Sequence, residues 1–329
     1  MARAEAHATA VPDAENVVEL SVVVAVYGCA ECLRPLYDRL VSSLAQTGER
    51  FEIVFVDDAS LDGAWSLLQE LAAQDHRVRA IRLSRNFGQH AAITAGLEES
   101  RGRWMVVMDC DLQDLPEEIP KLYRRALKGY DIVFARRNRR QDTHFRRWAA
   151  SAYFRLMNRF VGTRMDGEYG TFSVISRPVR DAYLSIGDQG RHYLLILYWL
   201  GFEQTAIDVP HGARHAGDSS YTFAKLVRHA VDGLFFQTTV LLRWIVYFGF
   251  LVALAGVLLA ALFIFILIFG DPPPGWTSLS VLILIIGGFI IMSTGVTGLY
   301  IGKIFDQVKD RPLYVVAERA SPNETEPGQ

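Results

Sequence analysis

The sequence is poor in cysteine, with three in 329 residues: Cys29, Cys32 and Cys110. That density excludes a small disulfide-scaffolded fold. Cys29 and Cys32 form a CxxC, but neither a second CxxC nor a histidine pair at zinc spacing accompanies it. The two therefore read as ordinary small residues at the start of a helix, and Cys110, at the end of an apolar strand, is expected to be inert. No GxGxxG follows the first apolar run, where the residues are Tyr27-Gly28-Cys29-Ala30. This excludes a dinucleotide oxidoreductase. Residues 1–19 are polar and Ala-rich with no apolar core, so they read as a disordered leader rather than a signal peptide. Net charge is also lacking. The formal value of −2 points to no partner by itself, nucleic acid is not among the partners expected, and local patterns carry the reading.

Half the residues are hydrophobic, and they fall in two kinds of run. Short apolar segments at 20–27, 51–56, 78–83, 104–108 and 131–135 read as buried parallel strands. Helical stretches at about 33–44, 63–73 and 88–100 separate the first four. The alternation predicts an α/β domain with a parallel-centred sheet over 20–223. Acidic residues stand just past two of the strands, Asp57-Asp58 and Asp109, which is where ligands bind in open α/β sheets. Arginines interleave with aromatics over 136–160, and an amphipathic helix at about 145–160 suits a membrane surface.

The second kind of run is long. Trp244–Phe269 holds 26 residues without a charge, roughly 39 Å as a helix and enough to cross a bilayer core with tilt. Gly270–Thr277 is a Pro/Gly turn, and 278–300 is a second apolar span. The expectation is a juxtamembrane helix at 224–243, two transmembrane helices at about 244–269 and 278–300, and a cytoplasmic C-terminal segment and tail over 301–329. Lys225, Arg228 and Arg243 precede the first span and Lys303, Lys309 and Arg311 follow the second, while the turn carries none. Positive-inside bias places the α/β domain in the cytoplasm and the chain as a multi-pass protein of the inner membrane. Gly287, Gly288, Gly295 and Gly298 allow close helix packing, within the hairpin or between copies in a homo-oligomer.

The local pattern richest in chemistry is Val106-Val107-Met108-Asp109-Cys110-Asp111-Leu112-Gln113-Asp114. A buried strand delivers two carboxylates, two residues apart, to its C-terminal edge. That suits a divalent ion whose other positions are filled by substrate phosphates, and the ion would offset charge on a diphosphate leaving group. Asp57 and Asp58 can accept hydrogen bonds from a ribose or a base, or cap the following helix, a task for which Ser60 and Asp62 are better placed. His90, His192, His211 and His215 lack metal spacing and read as structural or substrate-contact residues.

The order VVVAVY, FVDDASLDGAW, NFGQHAAITAGLEESRG, VVMDCDLQDLPE, GYDIVFARR resembles that of family 2 glycosyltransferases with the GT-A fold. With DLQDLPE and the two C-terminal spans, residues 20–316 resemble the polyprenyl-phosphate glycosyltransferases, which include dolichol-phosphate mannose synthases and bacterial undecaprenyl-phosphate sugar transferases. The resemblance implies a GT-A (Rossmann-like) domain with a C-terminal two-helix transmembrane hairpin. It implies that Val26, Tyr27 and Asp57 hold the base and ribose, and that Asp109, Asp111 and Gln113 hold Mg²⁺ or Mn²⁺ and the diphosphate. Arg136, and with it Arg147 and Arg214, would meet the lipid phosphate; Arg214 opens an RxxGxSxY stretch ending at Tyr221. Asp111, Asp109 and Arg136 would carry catalysis. A nucleotide-sugar donor (UDP preferred, GDP open), a polyprenyl phosphate acceptor (undecaprenyl preferred) and the lipid bilayer are the implied partners.

Two departures stand out. Many relatives carry Asp-Phe-Arg where this chain has Thr171-Phe172-Ser173, and Lys where it has Ser220. A phosphate monoester is largely ionised at neutral pH, its second pKa being about 6, so the nucleophile needs no base. Orientation and leaving-group stabilisation then carry an inverting displacement. Asp166 and Glu168 are alternative carboxylates. Two rival readings follow. A catalytically silent membrane scaffold would explain the departures. A processive polysaccharide synthase would need a QxxRW, which Gln237 and Arg243-Trp244 do not space correctly.

Overall fold

The computed structural model describes residues 18–137, 169–210, part of 245–269, and 276–321. Outside the described residues lie the expected leader up to residue 17, the amphipathic helix at 145–160 and the juxtamembrane helix at 224–243. Arg147, Asp166, Glu168, His211, Arg214, His215 and Ser220 also lie outside them. The chain divides into two compact units, one of Met1–Arg155, Thr163–Ser219 and Pro312–Gln329, the other of Leu156–Gly162 and Ser220–Arg311.

The first unit is built on a mixed sheet. Its strands are β1 (Leu20–Val26), β2 (Phe51–Asp57), β3 (Val78–Leu83), β4 (Trp104–Asp109), β5 (Ile132–Arg137), β6 (Tyr169–Ser176), β7 (Gln204–Val209) and β8 (Val316–Ala320). Across the sheet they run β7-β5-β6-β4-β1-β2-β3-β8. The β4-β1-β2-β3 block is parallel, β6 is antiparallel to β4 and β5, and β8 is antiparallel to β3. The five expected strands are all present. The sheet is not purely parallel, because β6 and β8, unforeseen in the sequence, run against their neighbours.

Helices cover both faces. Alternate residues of β1 separate to opposite sides. Val22 and Val24 join the cluster formed by α1 (Ala30–Ala45), α2 (Ala64–Gln74) and α4 (Ile119–Ala126). Val23 joins α3 (Gln89–Glu99), α5 (Arg177–Ser185) and α6 (Tyr193–Leu200). Burial on both faces explains why β1 and β2 are continuous Val/Ile/Phe runs rather than alternating ones. The result is the GT-A-like three-layer α/β arrangement that the resemblance implied.

In the second unit, α7 (Trp276–Val308) is 33 residues long. It begins near the expected second span and continues beyond residue 300. Its Ile286–Val308 stretch is the one helix among the described residues long and apolar enough to cross a membrane. The described positions within 245–269 are helical. Leu251, Leu254, Leu258, Leu262 and Phe265 expose their side chains. Phe248 of that stretch meets Phe289 of α7 with ring centroids 4.9 Å apart.

Candidate active site

The sheet register assembles the site. Parallel pairing puts Val26 beside Asp57 and Ala25 beside Asp109. Three adjacent strands thus end level, and the two aspartates flank β1 at two strand spacings, roughly 10 Å.

Asp57 is fully buried. Its Oδ1 accepts the Ser60 backbone N–H at 3.0 Å. Its Oδ2 lies 3.6 Å from Arg82 Nε and has no hydrogen-bond partner among the described residues. A buried acceptor left in that state is costly unless a ligand completes it. Asp58 has a different task. Its two oxygens accept the backbone N–H groups of Phe87 (2.7 Å) and Gly88 (2.8 Å), which fixes the loop entering α3. Burial pushes the Asp58 carboxyl above its ordinary value, and those two N–H groups partly offset the rise. Asp62 serves two helix starts, accepting Ala64 N–H at the head of α2 and Ala30 N–H at the head of α1. Ser60 instead accepts the Gly28 N–H through its hydroxyl. Val26 is buried and Tyr27 is exposed.

Asp109 closes β4. Its Oδ1 accepts from Gln89 Nε2 at 2.5 Å and from Thr171 Oγ1 at 2.9 Å. Asp111 Oδ1 accepts the Gln113 N–H at 3.1 Å, forming an Asx turn. Between them Leu112 sits at φ +62°, a left-handed conformation costing a non-glycine residue about 1 kcal/mol. Its side chain is buried, so core packing holds that turn in place. Asp109 N–H reaches Asp114 Oδ2 at 3.4 Å.

Cys110 is not inert. It forms a disulfide with Cys29 across 81 residues of chain, with the Cα atoms 6.5 Å apart. The cause is the β1–β4 pairing, which brings together the residues just past two neighbouring strand ends. Cys32, the other half of the CxxC, stays a buried free thiol.

Arg136 stands at the end of β5, opposite Asp208 of β7. The guanidinium donates to both carboxylate oxygens, at 2.5 and 3.0 Å, and holds the Asp208 carboxyl below its ordinary value. His90 and His192 come together with ring centroids 4.3 Å apart. A cavity of about 370 Å³, lined by Thr94, Glu98, Leu184, Arg191, Pro312, Leu313 and Tyr314, shares no residue with this edge.

Of the residues expected at the site, Val26, Tyr27, Asp57, Asp109, Asp111 and Gln113 share one sheet edge. Arg136 ends a strand running the same way as β4, and Arg147 and Arg214 lie outside the described residues. Sequence reasoning missed Gln89, and it marked Thr171 as a departure from the resembled family without linking it to Asp109. The register was the signal for that link, since Val107 pairs with Ser173 and Thr171 falls opposite Asp109 by continuing that ladder.

Among the described residues no three of His, Cys, Asp or Glu cluster as a self-sufficient cation cage. Two carboxylates at a strand end fit Mg²⁺ or Mn²⁺ of the kind that relies on one or two protein carboxylates and completes its shell with substrate phosphates and water.

The chain is similar to known proteins over most of its length. A model of Glycosyl transferase family 2 matches residues 21–184. An undecaprenyl-phosphate 4-deoxy-4-formamido-L-arabinose transferase of Proteus mirabilis is 37% identical over 92% of this chain and 94% of that protein. The uncharacterized glycosyltransferase YkcC of Bacillus subtilis is 34% identical over 91% of this chain and 93% of its own. A solved mannosyltransferase from Pyrobaculum calidifontis, in complex with GDP-Man and Mn²⁺, has a TM-score of 0.45 at 16% identity, covering 90% of this chain and 89% of that one. With strand ends that present these carboxylates and relatives at this identity and coverage, the chain belongs to glycosyl transferase family 2 and is a glycosyltransferase.

Proposed function

We propose that this glycosyltransferase moves a sugar from a nucleotide-sugar, a UDP-sugar by preference, onto a polyprenyl phosphate, undecaprenyl phosphate by preference, at the cytoplasmic face of the inner membrane. The observation that carries the proposal is the placement of Asp57 beside Val26 and of Asp109 beside Ala25 at the ends of β2, β1 and β4. On this reading Asp57 is the base-and-ribose acceptor at one end and Asp109 with Asp111 the diphosphate-metal pair at the other, two strand spacings or roughly 10 Å apart. The acceptor is inferred from the Proteus mirabilis relative, whose name specifies undecaprenyl phosphate.

The residues divide the work. The buried Asp57 Oδ2 accepts an N–H or O–H from the nucleoside, and Asp58 keeps the 87–88 backbone in place beside it. Asp109 and Asp111, with Gln113 beside them, would hold Mg²⁺ or Mn²⁺, which when bound supplies positive charge against the diphosphate. The acceptor phosphate oxygen attacks the anomeric carbon, the bond from that carbon to the diphosphate oxygen breaks, and the nucleoside diphosphate departs with the electron pair. Inversion follows from a single displacement. The attacking oxygen is already ionised, so Thr171 in place of a carboxylate removes no required base. Arg136, already at the strand end, meets the lipid phosphate together with Arg147 and Arg214.

Connectivity supports a hairpin of two spans. β7 and β8 belong to one sheet, yet the chain between them contains the second unit. A chain that leaves a domain and rejoins it on the same side of a bilayer crosses an even number of times. With the 276–308 helix read as one crossing, the apolar 244–269 run is the segment suited to be the other.

The test is transfer by the purified protein in detergent, with undecaprenyl phosphate, a panel of UDP- and GDP-sugars, and Mn²⁺ present or absent. A glycolipid from one donor is expected, dependent on Mn²⁺ and reduced at least a hundredfold in Asp111→Asn. Donor turnover without a lipid product would remove the acceptor assignment. Absence of both turnover and Mn²⁺-dependent nucleotide binding would favour the silent scaffold.

A further inference from the structure

Asp109 is held by side chains from two other elements. The β4–β6 ladder is antiparallel, with Val107 opposite Ser173. Continued by two residues it puts Thr171 opposite Asp109, at a cross-strand separation where side chains interact directly. Thr171 is buried and its hydroxyl donates to Asp109 Oδ1 at 2.9 Å. From the other side Gln89, the first residue of α3, donates its amide N–H to the same oxygen at 2.5 Å. Gln89 is itself set by Gly88, whose N–H is held by Asp58. Two elements that share no sequence neighbourhood thus converge on one oxygen.

The chemistry of the two donors is as informative as their position. Both are neutral. A lysine here would cancel part of the Asp109 charge, and a carboxylate at position 171 would repel it across the ladder. A threonine hydroxyl and a glutamine amide fix the carboxylate plane without adding a charge of their own. We propose that Thr171 and Gln89 are positioning residues that pre-orient Asp109 for the divalent cation and donor diphosphate, with Thr171 the principal one because it is buried and held in a strand. The inference rests on the metal-and-donor reading of this edge given above.

The experiment measures Mn²⁺ held by the full-length protein in detergent in the presence of UDP, by loss of the free Mn²⁺ electron paramagnetic resonance signal. It compares wild type, Thr171→Val, Thr171→Ser and Gln89→Leu. Thr171→Val keeps the shape and removes the donor. A hydrogen bond to a charged group is lost, so the Mn²⁺ half-saturation is expected to rise by about tenfold or more. Thr171→Ser restores the donor and should return to within about threefold of wild type. Gln89→Leu, at an exposed position, should shift in the same direction by less. In the transfer assay the Thr171→Val defect should be largely recovered at saturating Mn²⁺, while thermal unfolding of the variant stays within a few degrees of wild type. Unchanged Mn²⁺ half-saturation in Thr171→Val overturns the proposal. So does a Thr171→Ser defect as large as that of Thr171→Val, because it points to packing rather than donation. If wild type with UDP holds no Mn²⁺, the metal reading of the edge fails and takes this inference with it. Wild-type binding with no shift in the variants defeats the inference alone.

Discussion

At the scale of the residue, Asp75 is the carboxylate whose stabilising role can be followed most fully. It lies at the end of α2 and is 7% exposed. Burial alone would push its pKa up. The Arg77 guanidinium (2.8 Å), the Arg77 backbone N–H (2.9 Å) and the Tyr37 hydroxyl (2.8 Å) outweigh that and bring it down to about 2. A folded-state value below the unfolded one of about 3.9 means the stabilisation is present above pH 4 or so and is lost as pH falls toward 2. Asp75→Asn should therefore lower stability at pH 7 by about 2 kcal/mol, and the gap to wild type should close between pH 4 and 2; thermal unfolding across that pH range is the measurement. Sequence reading worked at this scale where placement is local. The strand-end positions of Asp57 and Asp109, with Asp111 just beyond, were legible because each follows an apolar run. The contacts of Thr171 and Gln89 with Asp109 were not, because Asp109 lies 62 and 20 residues away and only the fold joins them. The Cys29–Cys110 bridge was hidden for the same reason, and Cys29 was read as an ordinary small residue at a helix start.

At the scale of the element, α3 has the closest fit. A Cβ built on Gly96 would overlap Val23 Cγ1 of β1 and crowd Val56 Cγ2 of β2. The helix can lie this near the sheet only because that residue has no side chain. Gly96→Ala is expected to force α3 outward at a cost of about 1–3 kcal/mol, read as a lower unfolding temperature, despite alanine's better helix propensity. The first five strands and first three helices were legible because buried parallel strands are uninterrupted apolar runs. The later strands carry weaker marks. β7, QTAIDV, is mostly half-exposed, and β8, VAERA, is a short charged edge strand of the kind that resists unwanted pairing. A polar edge strand has no apolar run to find. Its place is fixed by β3 and by Glu318, which accepts from Trp65 Nε1 at 2.9 Å and Arg82 Nη1 at 3.2 Å.

At the scale of the whole molecule, one sheet takes its seventh and eighth strands from either side of the second unit. If two spans lie between them, the segment before α7 and the C-terminal segment after β8 face opposite compartments. Pro273→Cys should react with a membrane-impermeant maleimide on intact cells, and Ser321→Cys only after permeabilisation. Labelling of both from the same side would break the two-span topology. The late return of β8 also sets an order of assembly. Everything from β1 to β7 leaves the ribosome before the apolar segments do, and the strand that covers the β3 edge is made last. Throughout that interval the nascent sheet presents an open edge, a template for pairing with other chains. Completion of the catalytic domain is thereby tied to synthesis of the membrane segment, so a chain cut short anywhere after β7 leaves a nearly whole sheet with an aggregation-prone border.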